Sequence, residues 1–307
     1  MTKVLVTGGF GFIGSRIAET LLERGDDVVV LEHPATPVRE LSHDVELVRA
    51  DITDGASLGA VQVKGVDAVL HLAGQPSGAR SFEIPVEDMT INAVGTLRVA
   101  QWCLANDVDR IVAASTFNVY GDHPELERYA EDTSCRPKSV YASSKLAAEH
   151  LLANWAGPKG VRWNALRMFN VYGPGQDITC TDQGVVGIFM GQLMKSDRIE
   201  VKGSLERFRD LVYIDDVVQA WVRCLDADAP NQALNLGTGE KTTFGQLIRT
   251  LAEVMGKADR LEIVELPGTP GDMLGCVADL TRIRAAIGYE PTVPLEQGLE
   301  QMYRWAA

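Results

Sequence analysis

Thr7-Gly8-Gly9-Phe10-Gly11-Phe12-Ile13-Gly14 decides the fold. It follows an apolar run of strand character, Val4-Leu5-Val6, and opens residues 12–24, where apolar positions recur at helical spacing. Glycine lets the chain turn with positive φ and lets another group come close to the backbone. A helix that starts on such a turn presents unpaired N–H groups and a partial positive charge, which suits a phosphate. A second apolar strand, 28–31, runs into the acidic residue Glu32. Strand, glycine turn, helix, strand and acid in that order predict a dinucleotide site. Gly8, Gly11, Phe12, Ile13 and Gly14 are expected against the cofactor, and Glu32 on the two adenine-ribose hydroxyls. A carboxylate there also repels the extra 2′-phosphate of NADP, by up to about 4 kcal/mol at an effective dielectric near 20. The expected cofactor is therefore NAD. The competing placement for Glu32 is toward solvent.

Outward from this stretch, strand-like runs at 45–48, 66–70, 110–114 and 161–167 alternate with helical segments at 86–106 and 139–155. Such alternation, with continuous β-branched runs, predicts an α/β fold: a Rossmann-type doubly wound parallel sheet covered on both faces. Its crossovers should be right-handed and its ligands should lie at the carboxyl ends of the strands. There, Asp51 and Ile52 are placed to border the adenine, and the small Leu72-Ala73-Gly74 turn lets the cofactor lie close. After Gly173 the alternation loosens into loops rich in Gly, Asp and Pro, with helical segments at 185–195, 244–255 and 295–305. We expect an NAD-binding domain over 1–172 with returning segments at about 211–240, one of them a strand near 233–237. A smaller mixed α/β substrate lobe is expected from 173–210 and 241–307.

Tyr141-Ala-Ser-Ser-Lys145 sits in the 139–155 segment. Residues four apart share a helix face, so the phenol and the ammonium can act on one ligand. A free tyrosine, with a pKa of about 10, is a poor base near neutrality. The Lys145 cation and the nicotinamide charge are expected to lower it, letting Tyr141 remove a proton from a substrate hydroxyl. Ser115-Thr116 ends the 110–114 strand and offers hydroxyls to orient a substrate oxygen. A simple turn-forming pair is the alternative.

Bulk properties narrow the classes. The net charge of −13, without a Lys/Arg cluster, argues against a nucleic-acid partner. No apolar run approaches the ~18 residues of a membrane span, and residues 2–3 lead straight into a strand, so a cytoplasmic protein is expected. The five cysteines form no C-x-x-C pair and the five histidines show no ligand spacing, so no metal site is expected. His71, after an apolar run, reads as a packed histidine.

Taken together the chain resembles the extended short-chain dehydrogenase/reductase family, and within it the nucleotide-sugar epimerases and dehydratases. The matching stretches are T-G-G-F-G-F-I-G at 7–14, H-L-A-G at 71–74, S-T-F-N-V-Y-G at 115–121, Y-A-S-S-K at 141–145 and L-R-M-F-N-V-Y-G-P-G at 166–175. R-D-L-V-Y-I-D-D at 209–216 and N-L-G-T-G at 235–239 continue them. The resemblance implies that Thr116 is the catalytic hydroxyl, Tyr141 the base, and Lys145 its partner and a nicotinamide-ribose ligand. It implies Asn170 near the substrate diphosphate and Arg209 gripping it; the alternative for Arg209 is a surface ion pair with Asp210 or Glu206. Asn92 and Phe169 complete the expected cofactor contacts, and Ser77 and Lys202 the substrate contacts. Relatives that dehydrate carry Asp-Glu after the hydroxyl, and those that decarboxylate usually carry Glu two residues after it. Phe117-Asn118 supplies neither acid nor base, which favours 4-epimerisation of a UDP-sugar of the UDP-glucose/UDP-galactose type. The alternatives are a nucleotide-sugar oxidoreductase or lyase with net cofactor turnover, and a non-catalytic dinucleotide sensor. Thr269 stands where many relatives have a diphosphate-contacting arginine, with Lys202 or Arg207 as candidate substitutes. Sugar specificity is expected to depend on residues 75–80 and 183–187. The resemblance also implies a homodimer built on the 86–106 and 139–155 helices.

Overall fold

The computed structural model describes residues 1–41, 43–180, 184–229, 231–268 and 274–307. Seven strands form its central sheet: β1 (Lys3–Thr7), β2 (Asp27–Glu32), β3 (Glu46–Arg49), β4 (Ala68–His71), β5 (Arg110–Thr116), β6 (Arg162–Met168) and β7 (Gln232–Leu236). Every pairing is parallel and the order is β7-β6-β5-β4-β1-β2-β3. The order reverses between β1 and β4, where such sheets open a crevice for ligands.

Strand side chains alternate between the two faces of a sheet. Val4, Val6, Val28, Val30, Leu70 and Val112 pack on one face with Ile17 and Leu21 of α1 (Phe12–Arg24). Leu5, Val29, Leu31, Val69, Ile111 and Ala113 pack on the other, against Val99, Trp102 and Cys103 of α2 (Gly95–Ala105). Both faces are covered, so the strands read as unbroken apolar runs instead of alternating ones. α3 (Val140–Leu151) starts on Ser139, whose side chain accepts from Ala142 N at 3.1 Å, and lies on the α2 side.

The first apolar cluster continues beyond the sheet. It takes in Phe189, Met190 and Leu193 of α4 (Val185–Lys195), Trp221 of α5 (Ile214–Asp226), Ile248 and Leu251 of α6 (Phe244–Val254), and Leu299 and Met302 of α7 (Leu295–Ala306). α6 is held by a capping box between Thr243 and Gln246. Strand Arg198–Lys202 pairs with Glu262–Leu266, and Phe208–Arg209 with Thr242–Thr243.

The helix expected over 86–106 is one continuous run with an inserted π turn: α-helix Pro85–Met89, π turn Thr90–Val94, then α2. The extra residue sets Asn92 inward, where its amide binds Gln75, Asp88 and Ser144. The segment expected over 139–155 likewise passes into a π turn at Leu152–Ala156. Hydrophobic spacing of three and four cannot register one added residue in a turn. Among the described residues no helix is long and apolar enough to cross a membrane.

Candidate active site

A cleft of about 1380 Å3 runs along the carboxyl ends of the strands. That exceeds the roughly 300–1,000 Å3 of an ordinary small-molecule pocket and suits a dinucleotide beside a second ligand. Its floor is the glycine turn. Gly8 has φ +71°, and a Cβ there would come within 2.7 Å of Ala73 N. A Cβ at Gly14 would overlap Gly8 O, so α1 can sit this close to the turn only with glycine. Gly11 caps α1 without a side-chain hydrogen bond, and the first turn holds no acidic residue. The helix N-terminus is thus left to an anionic ligand.

Glu32 is buried and borders the cleft, so the solvent-facing alternative does not hold. Its Oε1 accepts from Phe10 N at 2.6 Å, which ties the acid to the glycine turn. Asp51 accepts from the Thr53 N–H at 2.8 Å and hydroxyl at 2.7 Å. Partial burial pushes the Asp51 carboxyl up, but the Thr53 donors outweigh it and leave the pKa below the ordinary value. Phe12, Ile13, Ile52, Leu72, Ala73, Gly74 and Phe169 also line the cleft, with the Phe169 ring stacked on Phe117 at 5.2 Å. Close backbone cradle, bare helix N-terminus and an acid at the end of β2 together fit NAD.

Asn92 is placed differently from the other expected cofactor residues. It lies behind the cleft, 1% exposed, and its Oδ1 accepts from Gln75 N at 2.9 Å. It holds the Leu72–Gln75 turn instead of facing the space. His71 holds the same turn from the other side and is a packed histidine. The Thr96 hydroxyl donates to Asn92 O at 2.6 Å, so it must accept from His71 Nε2, 3.0 Å away. His71 Nδ1 is then left to accept from the Thr7 hydroxyl at 2.7 Å, while Thr7 accepts from Ala73 N. Burial, with Lys145 nearby, pushes the His71 pKa down to about 3, which matches a neutral ring.

Thr116, Tyr141 and Lys145 meet at the middle of the cleft. Thr116 ends β5, and its hydroxyl stands near enough to the Tyr141 phenol to favour the ionised form. Lys145 Nζ donates to Ala114 O at 3.1 Å and lies beside Gly74, where a Cβ would stand 3.1 Å from it. Burial lowers the Lys145 pKa to about 8, against the pull of Asp88. In the protein by itself the Tyr141 shift is opposite to the expected one. Burial pushes the phenol up to about 12; the Thr116 hydroxyl opposes this and the Asp88 charge adds to it. The reason is that Tyr141 is only 9% exposed while Lys145 is turned to the Ala114 carbonyl.

On the facing wall stand Asn170, Lys202, Arg207 and Arg209. Asn170 is held to Asp210 O through its N–H at 3.1 Å. Arg209 stacks over the Phe244 ring at 5.4 Å and donates to Phe208 O at 2.7 Å. The Asp210 carboxylate is buried and taken up by Thr238, Gly239 and Ala278, which removes it as the surface partner considered for Arg209. Ser77 does not line the cleft, although Gln75, Pro76 and Gly78 beside it do; its N–H donates to Gln75 Oε1 at 2.5 Å and its hydroxyl accepts from Arg80 N at 3.1 Å. Residues 269–273, Thr269 among them, and residue 183 of the expected specificity segment lie outside the described residues. Sequence reasoning did not foresee Phe117 or Phe244 as parts of the cleft. Their side chains carry no spacing signal, because packing alone brings them there.

The family model for the NAD dependent epimerase/dehydratase family matches residues 4–237. A UDP-glucose 4-epimerase of Mycolicibacterium smegmatis is 34% identical over 97% of this chain and 96% of its own. UDP-glucuronic acid decarboxylase 4 of Arabidopsis thaliana is 31% identical over 98% of this chain and 68% of its own. The crystal structure of a UDP-glucose 4-epimerase from Thermotoga maritima with UDP-glucose superposes with a TM-score of 0.93, at 32% identity, covering 99% of this chain and 98% of that one. The chain belongs to the NAD-dependent epimerase/dehydratase family and is an NAD-dependent enzyme.

Proposed function

We propose that this enzyme inverts C4 of a UDP-sugar of the UDP-glucose/UDP-galactose type through a transient 4-keto sugar. The observation that carries this is the junction of Thr116 and Tyr141 in a cleft where the next two residues, Phe117 and Asn118, offer no acid or base. Dehydration or decarboxylation needs a further proton-transfer group; inversion at C4 needs one group that takes a proton and returns it. Bound NAD supplies the hydride acceptor and donor for a redox-neutral turnover. Gly8, Gly11 and Gly14 with the start of α1 hold its diphosphate, Glu32 its adenine ribose and Lys145 its nicotinamide ribose. Tyr141 Oη takes the proton of the sugar 4-hydroxyl and gives it back after the keto sugar has turned, while Thr116 orients that oxygen. Asn170, Arg209 and Lys202 hold the UDP diphosphate, for which a guanidinium fork is well shaped.

We also propose that the enzyme is cytoplasmic and that two copies of it pair through the helix over 139–155 together with the helical run 80–105. Phe82, Val86, Met89 and Val94 are exposed along it, and a second copy of the chain would cover them.

The test is proton NMR of the purified protein with UDP-galactose, UDP-glucose, UDP-N-acetylglucosamine and UDP-glucuronate in turn, with no added cofactor. Conversion to the 4-epimer without growth of reduced-nicotinamide absorbance supports epimerisation with resident NAD. Turnover that begins only with added NAD(P)+ or NAD(P)H, and consumes it, replaces it with an oxidoreductase.

A further inference from the structure

A threonine hydroxyl has one hydrogen to donate and two lone pairs to accept with. At Thr116 both lone pairs are addressed by one residue. Asn118 N–H donates to Thr116 Oγ1 at 3.3 Å and Asn118 Nδ2 donates to it at 3.1 Å. The short 3-10 turn Phe117–Tyr120, capped by Thr116 itself, folds Asn118 back onto the end of β5 and leaves it on the cleft wall. The hydroxyl's remaining capacity is donation, and the Tyr141 phenol, which shares the cleft lining with it, is the group whose ionisation it favours.

We propose that Asn118 is a positioning residue for the proton-transfer step: by filling both acceptor sites of Thr116 Oγ1 it turns the Thr116 hydrogen toward Tyr141 Oη and the substrate oxygen beside it. The chain Asn118 to Thr116 to Tyr141 points one way, each donor polarising the next. A donor aimed at Tyr141 favours phenolate, the form that accepts the sugar proton. The groups that face Tyr141 make this contact matter. Asp88, from the 85–89 helix, and burial both hold the phenol protonated, and Thr116 opposes them. Lys145 of α3 is turned to Ala114 O, and His71 behind it is neutral. An amide at position 118 thus does more than lack a carboxylate. A carboxylate there would accept the Thr116 hydrogen and draw it away from Tyr141.

The proposal rests on Tyr141 as the proton-transfer group, and the experiment separates the two. In NAD-loaded protein, phenolate absorbance is titrated for wild type and Asn118→Ala, each against its own Tyr141→Phe partner. Tyr141 is expected to ionise at higher pH in Asn118→Ala. On UDP-glucose and UDP-galactose, Asn118→Ala is expected to lose about 3- to 10-fold in kcat/KM, the scale of one hydrogen bond. That loss is expected to vanish in a Thr116→Ala background, because the effect passes through Thr116. Asn118→Asp, with the same shape but acceptors in place of donors, is expected to lose more than Asn118→Ala. An unchanged Tyr141 titration, an equal loss with and without Thr116, or a loss in Asn118→Asp no larger than in Asn118→Ala overturns the role of Asn118. A wild-type enzyme that turns over no UDP-sugar overturns the proposed function instead, and the phenolate titration still decides Asn118.

Discussion

At the scale of single residues, two titratable groups in the cleft are held away from their ordinary pKa values by burial, in opposite directions. Tyr141→Phe keeps the ring but removes the hydroxyl, so turnover is expected to fall about 10²- to 10⁴-fold, the range of general acid–base catalysis. Bound NAD, measured after release from denatured protein, is expected to stay at the wild-type level. Near wild-type turnover would remove Tyr141 from the proton transfer. For Lys145 the folded pKa of about 8 lies below the ordinary 10.5, so the buried cation opposes folding below pH 8. Between about 8 and 10.5 the unfolded chain binds more protons than the folded one, and stability contributed by this group rises with pH. Lys145→Met is therefore expected to abolish turnover yet raise Tm at pH 7, by no more than about 3 kcal/mol of stability. The gain should shrink as the pH passes from 8 to 10.5. A Tm that drops at pH 7 and shows no such pH dependence would contradict it. The identities of these residues were plain in the sequence, through Y-x-x-x-K and the hydroxyl pair. The direction of the Tyr141 shift was not, because it depends on how deeply the phenol is covered and on where the Lys145 ammonium points.

At the scale of elements, the glycine turn and α3 are fixed by different kinds of contact. Gly14→Ala would drive a Cβ into Gly8 O, so the start of α1 must shift off the turn. Loss of resident NAD and a lower Tm are expected together, read by cofactor release and thermal melting; a variant with full NAD content would show that the turn tolerates the shift. α3 is locked to the sheet by one buried cluster. Glu149, two turns beyond Tyr141, takes a fork from Arg167 of β6 (Nε–Oε1 3.0 Å, Nη2–Oε2 2.7 Å) and a hydrogen bond from Ser115 of β5. Both charged side chains are nearly sealed from solvent. Removing one partner strands the other, so Glu149→Ala is expected to cost about 3–5 kcal/mol in denaturant unfolding. A cost under about 1 kcal/mol, the value of an exposed pair, would mean the cluster is not sealed in solution. Strand and helix positions were legible because burial of both sheet faces writes continuous apolar runs into the chain. The π turns were not, since one inserted residue leaves the spacing of apolar residues almost unchanged.

At the scale of the whole molecule, the helical run with exposed Phe82, Val86 and Met89 is the place where a second copy would pack. Val86→Asp should weaken self-association, seen as a shift toward monomer in sedimentation velocity at falling concentration. A wild-type protein that sediments as a monomer would dismiss the pairing. Sequence alone determined the parallel doubly wound sheet and led to the glycine turn and to Thr116, Tyr141 and Lys145, which the structure gathers on one cleft. These are written locally: a strand needs its apolar run, a phosphate turn its glycines, a helix face its four-residue spacing. Only the tertiary structure decided that Asn92 supports the cofactor turn from behind, that Arg209 leans on Phe244, and that Asn118 closes both acceptor sites of Thr116. Each of those depends on groups from different elements meeting across the end of the sheet, and a linear pattern does not carry the distance between them.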